Sequence, residues 1–401
     1  MTLRERFNKL MSFKPVDRLP YVEFRDVSWP YRLRWIDQGA PVVANPYEHF
    51  GFDEATNDRA TSWTDGGRGL EHIEIELNAL PRFDPQPVRT EGDYHFTLDV
   101  RTGVSLKRLK ARTKSDLSVK TTADPPVKTR ADWAEYKKRF DPFTLERYPR
   151  LKQYTHHLTV YPLNYPETWT QAVKDMAVAP HIVTLCLHTG FNFVSNAVGF
   201  ERLFKLLVDE PKWVHEMIDH FGGFVRKALQ KALVTARIDY VSLDDDTPPR
   251  TVHGELLISP AMFMDYTGDH YRETLQRVAE CGIQWVQVPL TRNRMFDDRI
   301  VQMVIEAGLT PILPADAEGE FGVTERRRQY GGKFPLWGGM DADILCRGKP
   351  AIDRMIENVF AEAPAGGYFP TLCDRYGKFL EVPFENYRYY TQVYRKANGM
   401  E

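Results

Sequence analysis

A regular strand–helix alternation after residue 238, a glycine just past most of its helices, and short strands ending in polar residues predict an α/β chain folded as a (β/α)8 TIM-type barrel. A run of alternating segments between about residues 66 and 112 predicts an N-terminal β-meander insertion within one domain, 1–401. No GxGxxG follows any predicted strand, which argues against an open dinucleotide-binding sheet.

The opening segment, TLRERFNKLMSFKPVDRLP, reads as an amphipathic helix with Leu3, Phe7, Leu10 and Met11 on one face, stopped at Pro15. A strand is expected over Leu19–Phe24, closed by Glu23 and Arg25, with a short helix over Tyr31–Gln38. Leu70–Leu80, Tyr94–Val100 and Val104–Leu109 alternate and are assigned to the meander. His72, Glu74 and Glu76 then share a strand face, read as the solvent side of a hairpin, with metal binding the sharper alternative. Thr129 caps a helix ending near Pro142, and 141–166 carries no clear period. A strand over His181–Leu187 ends in His188-Thr189-Gly190, and two helices broken at Pro211 follow.

The next strand, Ile238–Leu243, ends in Asp244, Asp245 and Asp246 before Pro248 and Pro249, and Ser259-Pro260 starts a helix. Further strands end at Thr291-Arg292, at Asp316, at Gly338-Gly339-Met340-Asp341 and at Cys373-Asp374-Arg375. In a parallel barrel the strand C-termini carry the chemistry, so these are the candidate site residues. Any one aspartate can shape a turn, but three in a row exceed what a turn needs. One of Asp244, Asp245 and Asp246 is therefore expected to act as acid or base, with His188 as proton shuttle. Glu23, Arg25, Arg292, Asp316, Asp374 and Arg375 suit a polar or anionic substrate group, whereas Asp341 is read as the anchor of its Gly-Gly turn.

The composition bounds the function. A formal net charge of −2 offers no electrostatic case for nucleic acid, and no apolar run approaches the ~20 residues of a membrane span. Four scattered cysteines without CxxC spacing fit free thiols in a cytoplasmic setting. A homodimer is compatible with this composition, and the expected ligand is a small molecule.

Five stretches, in order, carry a resemblance: TLRERFNKLMSFKPVDRLPY, GFERLFKLLVDEPKWVHEMI, the acidic strand followed by LLISPAMF, WGGMDADIL and GGYFPTLCDRYGKFLEVPFENYRYY. Together they resemble the uroporphyrinogen decarboxylase superfamily over nearly the whole chain. The resemblance implies a distorted (β/α)8 barrel with its cleft at the strand C-termini. It also implies either decarboxylation or corrinoid-linked methyl transfer. The decarboxylase's arginine-rich RQAGR stretch is replaced here by VEFRDVSWPYRLRW, where Glu23 and Asp26 lie among Arg25, Arg32 and Arg34. That mixture disfavours a substrate with eight carboxylates. The HxC pair of the zinc thiol-methyltransferases is replaced by Thr291 and Arg292, so zinc is not expected, although His188, an acid of 244–246 and Cys373 form an alternative donor set. With no DxHxxG segment in the chain, the resemblance implies a cobamide carried by a separate corrinoid protein. Three readings follow: a corrinoid-linked methyltransferase or demethylase, a lyase acting on a small carboxylate, and a non-catalytic ligand-binding barrel.

Overall fold

A computed structural model of the chain describes residues 1–22, 34–42, 49–53, 70–75, 77–110, 120–144, 150–152, 167–243, 256–290, 293–373 and 378–401. The larger of its two sheets holds β1 (Leu70–Glu74), β6 (Arg150–Lys152), β7 (Ile182–Cys186), β8 (Tyr240–Ser242), β9 (Trp285–Gln287), β10 (Thr310–Ala315), β11 (Leu336–Asp341) and β12 (Tyr368–Cys373). Its order is β12-β11-β10-β9-β8-β7-β1-β6, parallel at every step except the antiparallel β1–β6 edge. The smaller sheet is an antiparallel meander of β2 (Arg89–Glu91), β3 (Tyr94–Leu98), β4 (Ser105–Leu109) and β5 (Lys120–Asp124).

The parallel strands predicted from His181 onward all occur, but three expectations for the chain before them are corrected. Leu70–Glu74 alternates as a hairpin strand would, yet it lies in the main sheet, with His72 opposite Thr184 on one side and Lys152 on the other. Period-two alternation identifies a strand and not its partner. The hairpin reading of His72, Glu74 and Glu76 therefore fails for the first two, and Glu76 lies outside the described residues. The meander runs from Arg89 to Asp124, later than the predicted 66–112. Of the expected strand Leu19–Phe24, residues 19–22 are not strand and the last two lie outside the described residues.

The first helix, α1 (Leu3–Met11), starts as its sequence requires: Thr2 accepts from Glu5 N, and the Glu5 carboxylate accepts from Thr2 N at 2.7 Å. Its apolar face buries Leu3, Phe7, Leu10 and Met11 against Val22, Ile182, Tyr240, Ile312, Trp337 and Phe369. Those strand residues lie at or near the starts of β7, β8, β10, β11 and β12, so α1 covers the N-terminal ends of the strands. The Phe7 ring centroid is 5.5 Å from that of Tyr240 on β8 and 5.9 Å from that of Phe369 on β12. In a flat sheet those strands stand about 19 Å apart at ~4.8 Å spacing. One ring touches both only because the sheet curls around it.

Around the curl lie α2 (Arg130–Tyr136), α3 (Glu167–Val178), α4 (Phe191–Val198), α5 (Phe200–Asp209), α6 (Pro211–Thr235), α7 (Pro260–Glu280), α8 (Arg294–Glu306), α9 (Val323–Tyr330), α10 (Ala342–Cys346), α11 (Lys349–Glu362) and α12 (Phe384–Ala397). Their apolar faces meet the outward strand residues Val183, Leu185, Val241, Leu243, Val286, Leu313 and Leu372 in the main core. The break at Pro211 is observed, whereas α4 and α10 were not anticipated; α4 follows the end of β7 after a short turn and α10 follows β11 directly. Among the described residues no helix is long and apolar enough to cross a membrane.

Candidate functional site

Side-chain alternation, anchored by the two cores, sorts each strand into an inner and an outer set. Ile182 packs on α1 while Val183 and Leu185 pack on helices, so Thr184 and Cys186 share the inner side of β7. The same test puts Ser242 inside on β8, Gln287 on β9, Asp316 after β10, Asp341 on β11, and Thr371 and Cys373 on β12. All stand at or near strand C-terminal ends, opposite the mouth that α1 covers. Thr184 is fully buried, and its hydroxyl has no hydrogen-bond partner among the described residues. The inner wall therefore changes from aromatic at the α1 end to hydroxyl, amide, thiol and carboxylate at the other.

His188 follows β7 by two residues and keeps the inner parity, since Leu187 belongs to the helix-side core. Leu187 N donates to Ser242 O at 2.9 Å, extending the β7–β8 pairing to the rim. The His188 ring meets Phe193 of α4 edge to face at 6.3 Å and remains half-buried. The turn beneath it needs Gly190, whose φ is +100°. A Cβ there would lie 2.8 Å from Gly222 N and 3.0 Å from Ile218 O on α6, so the turn seats directly on that helix.

Asp316 is 2 % exposed, and its backbone N donates to Phe321 O at 2.9 Å, folding the 317–321 loop back over β10. Next to it, Gly338 has φ +103°, and a Cβ at that position would lie 2.6 Å from Ala315 O and 3.3 Å from Cys373 Sγ. The expected Gly-Gly turn is thus part of β11 itself, compressed between its neighbours. Asp341 caps α10, accepting from Asp343 N at 3.2 Å, in keeping with an anchoring role. Its Cα partner across the ladder is Cys373, so two carboxyls and a thiol stand on three adjacent strand ends.

Of the residues singled out from sequence, His188 and Asp316 are therefore on the inner rim, on opposite flanks of β8–β9. Glu23, Arg25, Asp244, Asp245, Asp246, Arg292, Asp374 and Arg375 lie outside the described residues. Among the described residues no three His, Cys, Asp or Glu groups come together so as to hold a metal. Thr184, Cys186, Ser242 and Gln287 were missed because none is charged. The signal that finds them is their shared parity with the aromatic residues that grip α1.

The fold and this rim define an α/β protein with a curled parallel sheet, one sealed mouth and one polar mouth. No protein-family model matches the chain, and no curated protein matches it. Among solved structures, a methyltransferase from Methanosarcina mazei is similar over 99% of both chains, at 13% sequence identity and a TM-score of 0.49.

Proposed function

We propose that the chain completes a (β/α)8 barrel and is a methyltransferase or demethylase of the uroporphyrinogen-decarboxylase-like type, taking a methyl group from a small substrate held at the polar mouth. The observation that carries a reaction site is the segregation of polar residues to one end of the curled sheet while α1 closes the other. The methyl-transfer assignment rests on the sequence resemblance. The acceptor is a cobamide bound to a separate corrinoid protein; when present it supplies a metal centre that takes the methyl group. The half-buried His188, Cys186, Gln287 and Cys373 fit this arrangement, because the rim they form stays accessible to a partner approaching from outside.

The chain's own part is binding and proton delivery. As the methyl–heteroatom bond breaks, the heteroatom keeps the bonding pair and takes a proton from an acid at the mouth. Asp244 shares the parity of the inward Tyr240 and Ser242, which supports it over Asp245 as that group. His188, two residues past the neighbouring β7, is suited to return the proton from solvent. Asp316 and the cations Arg25, Arg292 and Arg375 are assigned to the substrate's polar groups, with Glu23 and Asp374 orienting those cations.

The test is spectroscopic titration of the purified protein with cob(I)alamin and candidate methyl donors. Methylation of the corrinoid is expected, and Asp244→Asn should slow it by about 10²-fold or more, the range for a lost acid or base. Asp245→Asn and Asp246→Asn should instead cost about 1 kcal/mol of stability, as lost turn or cap contacts do. Full turnover and stability in all three variants would remove the acidic corner from the site. Carbon dioxide release without corrinoid methylation would identify a lyase instead.

A further inference from the structure

The inner side chains of β7, β8 and β9 form two rows. At the polar end the register sets Cys186 opposite Ser242 and Ser242 opposite Gln287; one step deeper, Thr184 stands opposite Tyr240 and Tyr240 opposite Trp285. Folded proteins hydrogen-bond roughly 90% or more of their buried polar groups, and each exception calls for an explanation. The deeper row holds two exceptions among the described residues, since the Thr184 hydroxyl and the Trp285 indole N–H are sealed from solvent without a partner. Above them the Gln287 amide, half-exposed at the last inner position of β9, also makes no hydrogen bond with any described residue. The two deeper groups are closed off, so the Gln287 row is the one that an incoming ligand meets.

The charge of this wall narrows what the row can take. Strands β7 to β12 contain no Lys or Arg, whereas Asp316 and Asp341 stand on the β10–β11 flank. The Cys186–Ser242–Gln287 row is a thiol, a hydroxyl and an amide. An ionised carboxylate brought against it would lose hydration, gain no cation from these strands, and face two carboxyls across the mouth. An ammonium group would be drawn to the carboxyl flank and away from this row. An uncharged hydroxyl or carboxamide meets its complement there, because a glutamine side chain offers two N–H donors and a carbonyl acceptor. The backbone of Gln287 is held by the ladder, with its carbonyl accepting from Leu243 N at 2.9 Å. Its Cα partner on the far side is the apolar Ile312, so Ser242 is the polar neighbour of the amide within the row.

We propose that Gln287 is a specificity-determining residue of the polar mouth, its amide selecting a substrate whose deepest group is an uncharged hydroxyl or carboxamide over one that ends in an ionised carboxylate. This deepens the reading of the mouth as a small-molecule site for methyl transfer, and the experiment separates the two. Binding of propionamide, propionate and propylammonium, probes of equal length, is measured by saturation-transfer NMR on the full chain at neutral pH. The unaltered protein is compared with Gln287→Leu and Gln287→Glu. Propionamide is expected to bind about tenfold or more tightly than propionate, and Gln287→Leu to weaken it by about tenfold, the range for one lost hydrogen bond. Gln287→Glu, of the same shape, should move the preference to propylammonium. The melting temperature of Gln287→Leu should be unchanged, because the amide has no protein partner to lose. Unchanged propionamide binding in Gln287→Leu, propionate as the tightest ligand, or no binding of any probe overturns the inference. So does a lower melting temperature with equal losses for all three probes, which would make Gln287 a structural residue. Corrinoid methylation in the same preparations reports on the function separately. A methyl-donor KM unchanged in Gln287→Leu overturns the specificity role and leaves methyl transfer standing. Propionamide selectivity that Gln287→Leu abolishes, in a protein that methylates no corrinoid, supports the role of Gln287 and removes the methyl-transfer reading.

Discussion

The two ends of the curled sheet are built from the same strands and differ in almost every other respect. At the N-terminal end, Phe7 sits among Tyr240, Trp285, Trp337 and Phe369 with ring centroids 5.5 to 6.2 Å away. The charges there are satisfied: Arg4 Nε donates to Asp239 Oδ1 at 2.9 Å, and Asp239 Oδ2 accepts from Val183 N at 2.8 Å. Both partners of that ion pair are buried, so loss of either would strand the other in a low-dielectric interior. At the C-terminal end the inner residues are hydroxyls, carboxyls, an amide and thiols, several of them half-exposed. The difference teaches that stability is concentrated at one mouth, which leaves the other free to carry polar groups that packing alone would not select.

The sharpest way to break this division is at its extremes. Phe7→Ala removes a fully buried ring from the apolar mouth and should destabilise the protein by about 3–5 kcal/mol in urea unfolding. His188→Ala at the polar rim should cost about 1 kcal/mol or less while depressing turnover. Equal losses of stability in the two variants would mean that the mouths do not differ in the way proposed.

A smaller effect tests how the polar rim is supported from behind. Gly222 of α6 lies under the Gly190 turn, and a Cβ on Gly222 would fall 2.5 Å from His270 Nδ1 on α7. His270 has nowhere to retreat: its Nδ1 accepts from Arg226 Nη1 at 2.5 Å and its Nε2 donates to Asp219 Oδ1 at 2.9 Å. Gly222→Ala should therefore cost about 1–3 kcal/mol through overpacking. The double variant with His270→Ala should recover part of that loss in a double-mutant cycle. Strict additivity would show that the clash is relieved elsewhere.

The smallest effect belongs to the clasp that holds α1 to the segment after it. Asp17 accepts from Arg6 Nε and Nη2, both at 2.8 Å, and lies within 3.2 Å of the terminal amine. The Arg6 guanidinium, aided by that amine and opposed by partial burial, holds the Asp17 carboxyl well below the usual carboxylate range. A depressed folded-state pKa contributes stability above the unfolded value of ~3.9, and that contribution is lost as pH falls further. Because Asp17 is 38% exposed, solvent screening limits the contribution to about 1 kcal/mol or less. Asp17→Asn should accordingly flatten the acid limb of the stability profile below about pH 4 without altering stability differences between pH 6 and 8. An unchanged acid limb would show that the clasp contributes nothing.

By itself, the sequence determined what depends on local periodicity and local chemistry. The capped face of α1, the break at Pro211 and the strands feeding β7 to β12 all follow from the spacing of apolar residues and from Ser, Thr, Pro and Gly at element ends. It also determined that Tyr240 and Ser242 share one side of their strand. Which side faces inward was decided only when Phe7 of α1 met Tyr240, a contact across 233 positions of chain. Leu70–Glu74 makes the same point, since its alternation suits a hairpin as well as the parallel partner it takes in β7. So does Gly338, which reads as a turn and is instead a strand residue with no room for a side chain beside Ala315 O and Cys373 Sγ. The physical reason is common to all three. Periodicity and capping are properties of neighbours in sequence, whereas inward direction, strand partner and steric room are set by residues that meet only when the sheet curls.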